Sequence, residues 1–189
     1  MTDNLKPVSV VAVCGSLRKG SYNRMALKAA IGLKPAAMTI ESFDIAPLPP
    51  YNEDVRQAGF PKPVEQLRAK IKAADALFFV TPEYNYSMPG VLKNAIDIAS
   101  RPYGLSAWDG KPAGIISGSI GAVGGFGANH HLRQSLTYLN MPAMQQPEAY
   151  LGSLAECVDA KGELLERTRQ FIAKFAEAFA VWVAQHAQR

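Results

Sequence analysis

The stretch Val8-Ser9-Val10-Val11-Ala12-Val13-Cys14-Gly15-Ser16-Leu17-Arg18-Lys19-Gly20-Ser21-Tyr22-Asn23 decides the fold. Its first half is a β-branched apolar run that stops at Gly15-Ser16, the pattern of a strand buried on both faces. Its second half is a polar loop punctuated by glycine, followed by a helix that the pattern places at residues 24–31, ending near Gly32 and Pro35.

Outward from this unit the alternation repeats. Met38–Phe43 reads as a second strand, and Pro47-Leu48-Pro49-Pro50-Tyr51-Asn52 as loop. Val64, Leu67, Ile71 and Ala74 recur at helical spacing, which predicts an amphipathic helix over 61–74 with proline at its start. Residues 76–80 form a third apolar strand broken at Thr81-Pro82, and Val91, Leu92, Ala95, Ile96 and Ala99 mark a helix that ends before Pro102. A fourth strand at 113–116 leads into a glycine-rich segment and then a helix from Phe126 with Leu132, Leu136 and Leu139. A short fifth strand is expected between Ala143 and Leu151. The last helix is expected over 163–185, with Leu164, Leu165, Phe171, Ile172, Phe175, Phe179 and Trp182 as its apolar stripe. Strands alternating with helices predict an α/β fold: a parallel sheet covered on both faces, in a flavodoxin-like three-layer sandwich of strand order 2-1-3-4-5. Residues 1–189 read as a single such domain.

Composition narrows the classes. The chain has 189 residues, 48% of them hydrophobic and 19% charged, which excludes a disordered chain. Its net charge of +4 mildly favours anionic ligands, but the basic residues are scattered, so nucleic acid is not expected as a partner. Apolar runs such as 76–80 are too short to cross a bilayer, so no membrane partner is expected. Cys14 and Cys157 match no metal-ligand spacing, and Cys14 reads as a small buried hydrophobe. Together with a start, Met1-Thr2-Asp3-Asn4, that lacks the pattern of a secretory leader, this predicts a cytoplasmic protein without disulfides. Glu41, Asp44, Glu53 and Asp54 read as solvated charges and Trp182 as core. The pair His130-His131 does not converge on one ion, because adjacent helical residues point about 100° apart. One is expected to face the core or a partner and the other solvent. No catalytic side chain and no metal ligand is assigned.

In such a sheet, ligands sit beyond the carboxyl ends of the strands, at the point where strand order reverses. The loops there, after the first, third and fourth strands, are the compositionally unusual ones. Gly15 to Asn23 can curl into a nest of N–H groups ahead of a helix start, with Ser16, Ser21, Asn23 and Arg18 as further donors to a phosphate. The plainer alternative is that Ser21 or Asn23 only caps the helix. The loop is neither a Walker sequence nor a G-x-G-x-x-G fingerprint, which favours a mononucleotide. Thr81-Pro82-Glu83-Tyr84-Asn85-Tyr86-Ser87-Met88-Pro89-Gly90 is stiffened by prolines and suits a flat ring, or else is a surface turn. Ser117 to Gly127 holds five glycines, which a closely approaching ligand or backbone would explain.

Taken together, Gly-Ser-Leu-Arg-Lys-Gly-Ser-Tyr-Asn, Thr-Pro-Glu-Tyr-Asn-Tyr-Ser-Met-Pro-Gly-Val-Leu-Lys-Asn-Ala-Ile-Asp and the glycine-rich loop resemble the NADPH-dependent FMN reductase family, in its branch of soluble quinone and chromate reductases. The likeness runs from about Val8 to Leu151. It implies non-covalent FMN with Ser16, Arg18, Ser21, Tyr22 and Asn23 around the phosphate. Pro82, Glu83, Tyr84 and Asn85 would lie along the ring and ribityl chain, and Ser117 with Gly118 on the pyrimidine side. It also implies a homo-oligomer, a dimer or a dimer of dimers (a homotetramer). The function that follows is an oxidoreductase: NADPH or NADH gives a hydride to the flavin and leaves. A quinone or another small acceptor, such as chromate, an azo dye or free flavin, then takes its place, giving ping-pong kinetics. The alternative is a flavodoxin-type electron-carrier module with no NAD(P)H reactivity, but such carriers are usually strongly acidic, unlike this chain at +4. A flavin-free structural protein of the same fold is the third reading, and the intact first loop argues against it.

Overall fold

A computed structural model describes residues 7–186 of the chain. The start at residues 1–4, on which the leader expectation rests, lies outside them. The strands are β1 (Val8–Cys14), β2 (Met38–Phe43), β3 (Ala76–Thr81), β4 (Ala113–Gly118) and β5 (Tyr150–Leu151). They pair in parallel in the order β2-β1-β3-β4-β5, as the alternating pattern predicts. The helices are α1 (Tyr22–Leu33), α2 (Glu53–Ala58), α3 (Lys62–Ala73), α4 (Gly90–Ala99), α5 (Phe126–Tyr138) and α6 (Glu166–His186), with a 3-10 turn at Leu154–Cys157.

The two faces of the sheet bury separate cores, as the period of two along a strand requires. Val10, Ala12, Ala76, Phe78, Val80 and Ile116 pack under α1 and α6. Val11, Val13, Leu77, Phe79 and Ile115 pack under α3, α4 and α5. Phe78 meets Phe175 and Phe179 edge-on, at 5.7 and 5.4 Å between ring centroids. Gly114 makes room for this contact, since a Cβ there would stand 2.9 Å from the Phe179 ring. Burying such a side chain contributes about 1.5–3 kcal/mol, and Ile172 and Val183 are buried on the same helix.

Several expectations need correction. α1 begins at Tyr22 rather than at residue 24, because Ser21 caps it. The last helix begins at Glu166, not 163, so Leu164 is buried through a bridge between Val158 and Leu164 rather than on the helical stripe. Trp182 is half-buried, its indole N–H donating to the Pro142 carbonyl at 3.0 Å and its ring stacked on His186. Both His130 and His131 are exposed, so neither faces the core of this chain. Their partners hold them at the surface: His130 lies against Phe126 and bonds the Tyr150 hydroxyl, and His131 bonds Ser87. No helix among the described residues is long and apolar enough to cross a membrane.

Candidate functional site

Register brings the three loops together. Cys14 pairs with Val80, and Thr81 with Ser117, so β1, β3 and β4 end along one edge. Gly15 closes the seam between the first two. Its N–H donates to the Val80 carbonyl at 2.8 Å, and a Cβ there would stand 2.8 Å from Thr81 Oγ1. Beyond this edge opens a cleft of about 280 Å³. Ser16, Arg18, Ser21, Tyr22, Asn23, Pro82, Glu83, Tyr84 and Gly118 line it, with Ser119, Ile120 and Leu154. Of the eleven residues expected around a ligand, Asn85 and Ser117 do not face it.

The first loop is tied down through its carbonyls. Arg18 donates to the Gly20 carbonyl at 2.7 Å and lies over the Tyr22 ring, the Ser21 N–H donates to Arg18, and Arg24 Nε donates to Ser16 at 3.0 Å. Ser21 does both things the sequence left open. Its Oγ accepts the Arg24 N–H at 3.4 Å as the helix cap, and it stands in the cleft wall. The first turn of α1 contains no acidic residue, so the free N–H groups and the positive dipole end there face no carboxylate of their own helix. Asn23, almost wholly buried, donates Nδ2 to the Gly118 carbonyl at 3.0 Å, which ties α1 to the end of β4. Its Oδ1 is buried and accepts nothing among the described residues. A buried acceptor left unpaired costs about 1–3 kcal/mol, which a hydroxyl donor in the cleft would recover.

The second loop is rigid for a reason its prolines only hint at. Tyr84 and Ser87 exchange backbone bonds of 2.9 and 3.0 Å, closing a two-residue turn with Asn85 at φ 51° and Tyr86 at φ 61°. That turn lifts Asn85 into solvent, away from the cleft, while Tyr84 stays at the wall. Glu83 Oε2 accepts the Ala128 N–H of α5 at 2.9 Å, so its charge is spent on that helix start. A Cβ on Gly127 would stand 2.6 Å from the Tyr86 carbonyl, which is why the turn can lie against α5.

The glycine-rich loop splits differently from the expected pattern. Ser117 and Gly118 belong to β4, and Ser117 is completely buried. Its hydroxyl donates to the Gly124 carbonyl at 2.8 Å and sits 3.3 Å from Asn129 Nδ2. Ser117 therefore supports the loop from beneath. Leu154, from the 3-10 turn after β5, reaches the wall from a segment with no chemical signature, and sequence reasoning missed it.

Elsewhere the chemistry is sparse. Cys14 and Cys157 are buried and free, and burial pushes the Cys14 thiol up from its ordinary range. Among the described residues no cluster of His, Cys, Asp and Glu could hold a metal ion. A larger groove of about 600 Å³ runs past Gly110, Arg133, Pro142 and Trp182. It lies by the start of β4, where Ala113 bridges Ala143, at the end of the sheet away from the three loops.

The family model for NADPH-dependent FMN reductase matches residues 8–156, the whole sheet and all three loops. The chain belongs to the NADPH-dependent FMN reductase family. A quinone reductase of Pseudomonas putida is 52% identical over 175 residues, covering 93% of this chain and 94% of its own. An NAD(P)H-dependent FMN reductase of Pseudomonas aeruginosa is 50% identical and covers 97% of each. Among solved structures, the flavoenzyme FerB of Paracoccus denitrificans, an NAD(P)H:(acceptor) oxidoreductase, is 38% identical. It superposes with a TM-score of 0.88 over 96% of this chain and 100% of its own. This FMN reductase is an FMN-dependent oxidoreductase with NAD(P)H as co-substrate. Its cleft offers a helix start without an acidic residue, a buried unpaired acceptor and an aromatic wall, chemistry that suits a phosphate, a hydroxyl-bearing chain and a flat ring.

Proposed function

We propose that the three-loop cleft binds FMN and serves the reduction of quinones by NAD(P)H. The observation that carries this is the convergence, on one cleft, of the acid-free start of α1 and the unpaired Asn23 Oδ1. Ser16, Arg18, Ser21, Tyr22 and Asn23 hold the phosphate end. Pro82, Glu83 and Tyr84 line the ring and ribityl chain, and Gly118, seated on buried Ser117, closes the far side. FMN held there would supply the redox chemistry, with NAD(P)H as hydride donor and a quinone as acceptor.

The chain's own part is binding and shielding. The N–H groups of the first loop and the start of α1 neutralise the phosphate. The Tyr84–Ser87 turn, already rigid, orders little further on binding, so affinity is not lost to entropy. No side chain is assigned as acid or base. Quinones as acceptors are supported by the printed name of the Pseudomonas putida relative.

The cleft, at about 280 Å³, is small beside the roughly 300–1,000 Å³ of most cofactor sites. Around it Tyr84, Tyr86, Ile120, Val123 and Phe126 stand exposed, Tyr86 by 83%. A second copy of the chain would cover this rim, which supports a homo-oligomer, a dimer or a dimer of dimers. The two free, buried cysteines support a cytoplasmic setting. Initial rates with varied NADPH and quinone test the functional reading. Because both substrates use one site in turn, double-reciprocal lines should be parallel; lines that converge would contradict it.

A further inference from the structure

Arg24 is out of place for a helix. It is the third residue of α1, in the first turn, where an acid stabilises the dipole and a cation opposes it. The geometry shows what the arginine does there. Nε donates to the Ser16 carbonyl at 3.0 Å, and Nη2 stands 3.7 Å from Asp44 Oδ1, just past the end of β2. Arg24 thus braces the first loop against the neighbouring strand end. Ser16 itself is buried, stands in the cleft wall, and its hydroxyl makes no hydrogen bond among the described residues.

We propose that Arg24 is the positioning residue of the phosphate loop, holding the Ser16 carbonyl back so that the loop offers its donors to the flavin phosphate. A peptide is planar and trans, so fixing the Ser16 carbonyl also fixes the direction of the Leu17 N–H on the other side of that unit. With the Gly20 carbonyl bound by Arg18 and the Arg18 carbonyl bound by the Ser21 N–H, the carbonyls of Ser16, Arg18 and Gly20 are all drawn onto the protein's own donors. Arg24 needs no contact with the phosphate for this. Its charge is also felt at the end of β1, where it draws the raised pKa of Cys14 part of the way back.

The inference rests on the reading of this loop as the phosphate site, and the test separates the two. Purified apoprotein is titrated with FMN and with riboflavin, which lacks the phosphate, following flavin fluorescence for the wild type, Arg24→Met and Arg24→Gln. Glutamine places an amide nitrogen where arginine has Nε, without the charge; methionine has similar length and no donor. The proposal expects Arg24→Met to weaken FMN by about tenfold, the scale of one hydrogen bond between a charged and a neutral group. Riboflavin affinity stays within about twofold, and Arg24→Gln recovers most of the loss. Equal loss of both flavins, no loss at all, or a Gln variant as weak as Met overturns it, the last by showing that charge and not the carbonyl bond matters. A wild type that binds riboflavin as tightly as FMN overturns the phosphate reading itself.

Discussion

At the scale of single residues, the cleft is defined by groups left without partners. Asn23 Oδ1 is buried and unpaired although its amide nitrogen donates to the Gly118 carbonyl. Cys14, at the end of β1, is the opposite case: a potential nucleophile disarmed by burial, with its thiol pushed above the ordinary value of 9.0. Because the folded thiol holds its proton more tightly than the unfolded one, this difference supports the fold below the ordinary thiol range. It is lost as pH rises through and beyond that range. Native protein at pH 8 should therefore resist iodoacetamide at Cys14, by peptide mass, and react once unfolded; rapid labelling of the native protein would refute this. The serines, arginine, asparagine and tyrosines of the site were legible because their types announce polar and aromatic contacts. Leu154 was not, since nothing distinguishes a leucine at a cleft wall from one in a core. Nor was the burial of Ser117, because a serine ending a strand reads the same whether it faces in or out.

At the scale of elements, the start of α1 carries the account. Ser21→Asp keeps a good cap, since aspartate caps as well as serine, but adds a negative charge where the phosphate is placed. The expected result is a melting temperature unchanged or raised by up to about 2 °C, on a gain of up to about 0.5 kcal/mol, with FMN affinity lowered at least tenfold. Affinity preserved in that variant would mean that the phosphate lies elsewhere. Long elements were legible from their periodicity, and β1 with its loop sufficed to set the class. The short ones were not. α2 has six residues and buries none of them, so it leaves no apolar period. β5 has two residues, too few for any alternation. The Tyr84–Ser87 turn was hidden because its positive-φ positions are Asn85 and Tyr86 rather than glycine.

At the scale of the whole molecule, the parallel sheet gathers three distant segments at one edge and leaves an apolar rim around them. Light scattering of the purified protein should give a dimer or larger, and Ile120→Asp with Val123→Asp should shift it toward monomer. A wild type that is monomeric at micromolar concentration would contradict the self-association reading. The proposed activity requires that FMN held in this cleft take electrons from NAD(P)H and yield them to a quinone. Its most direct test is the visible spectrum of the FMN-loaded protein without oxygen, on adding NADPH and then a quinone. The account predicts that the flavin band bleaches with NADPH and returns with the quinone. A band that persists in NADPH would contradict it and leave the chain an electron carrier.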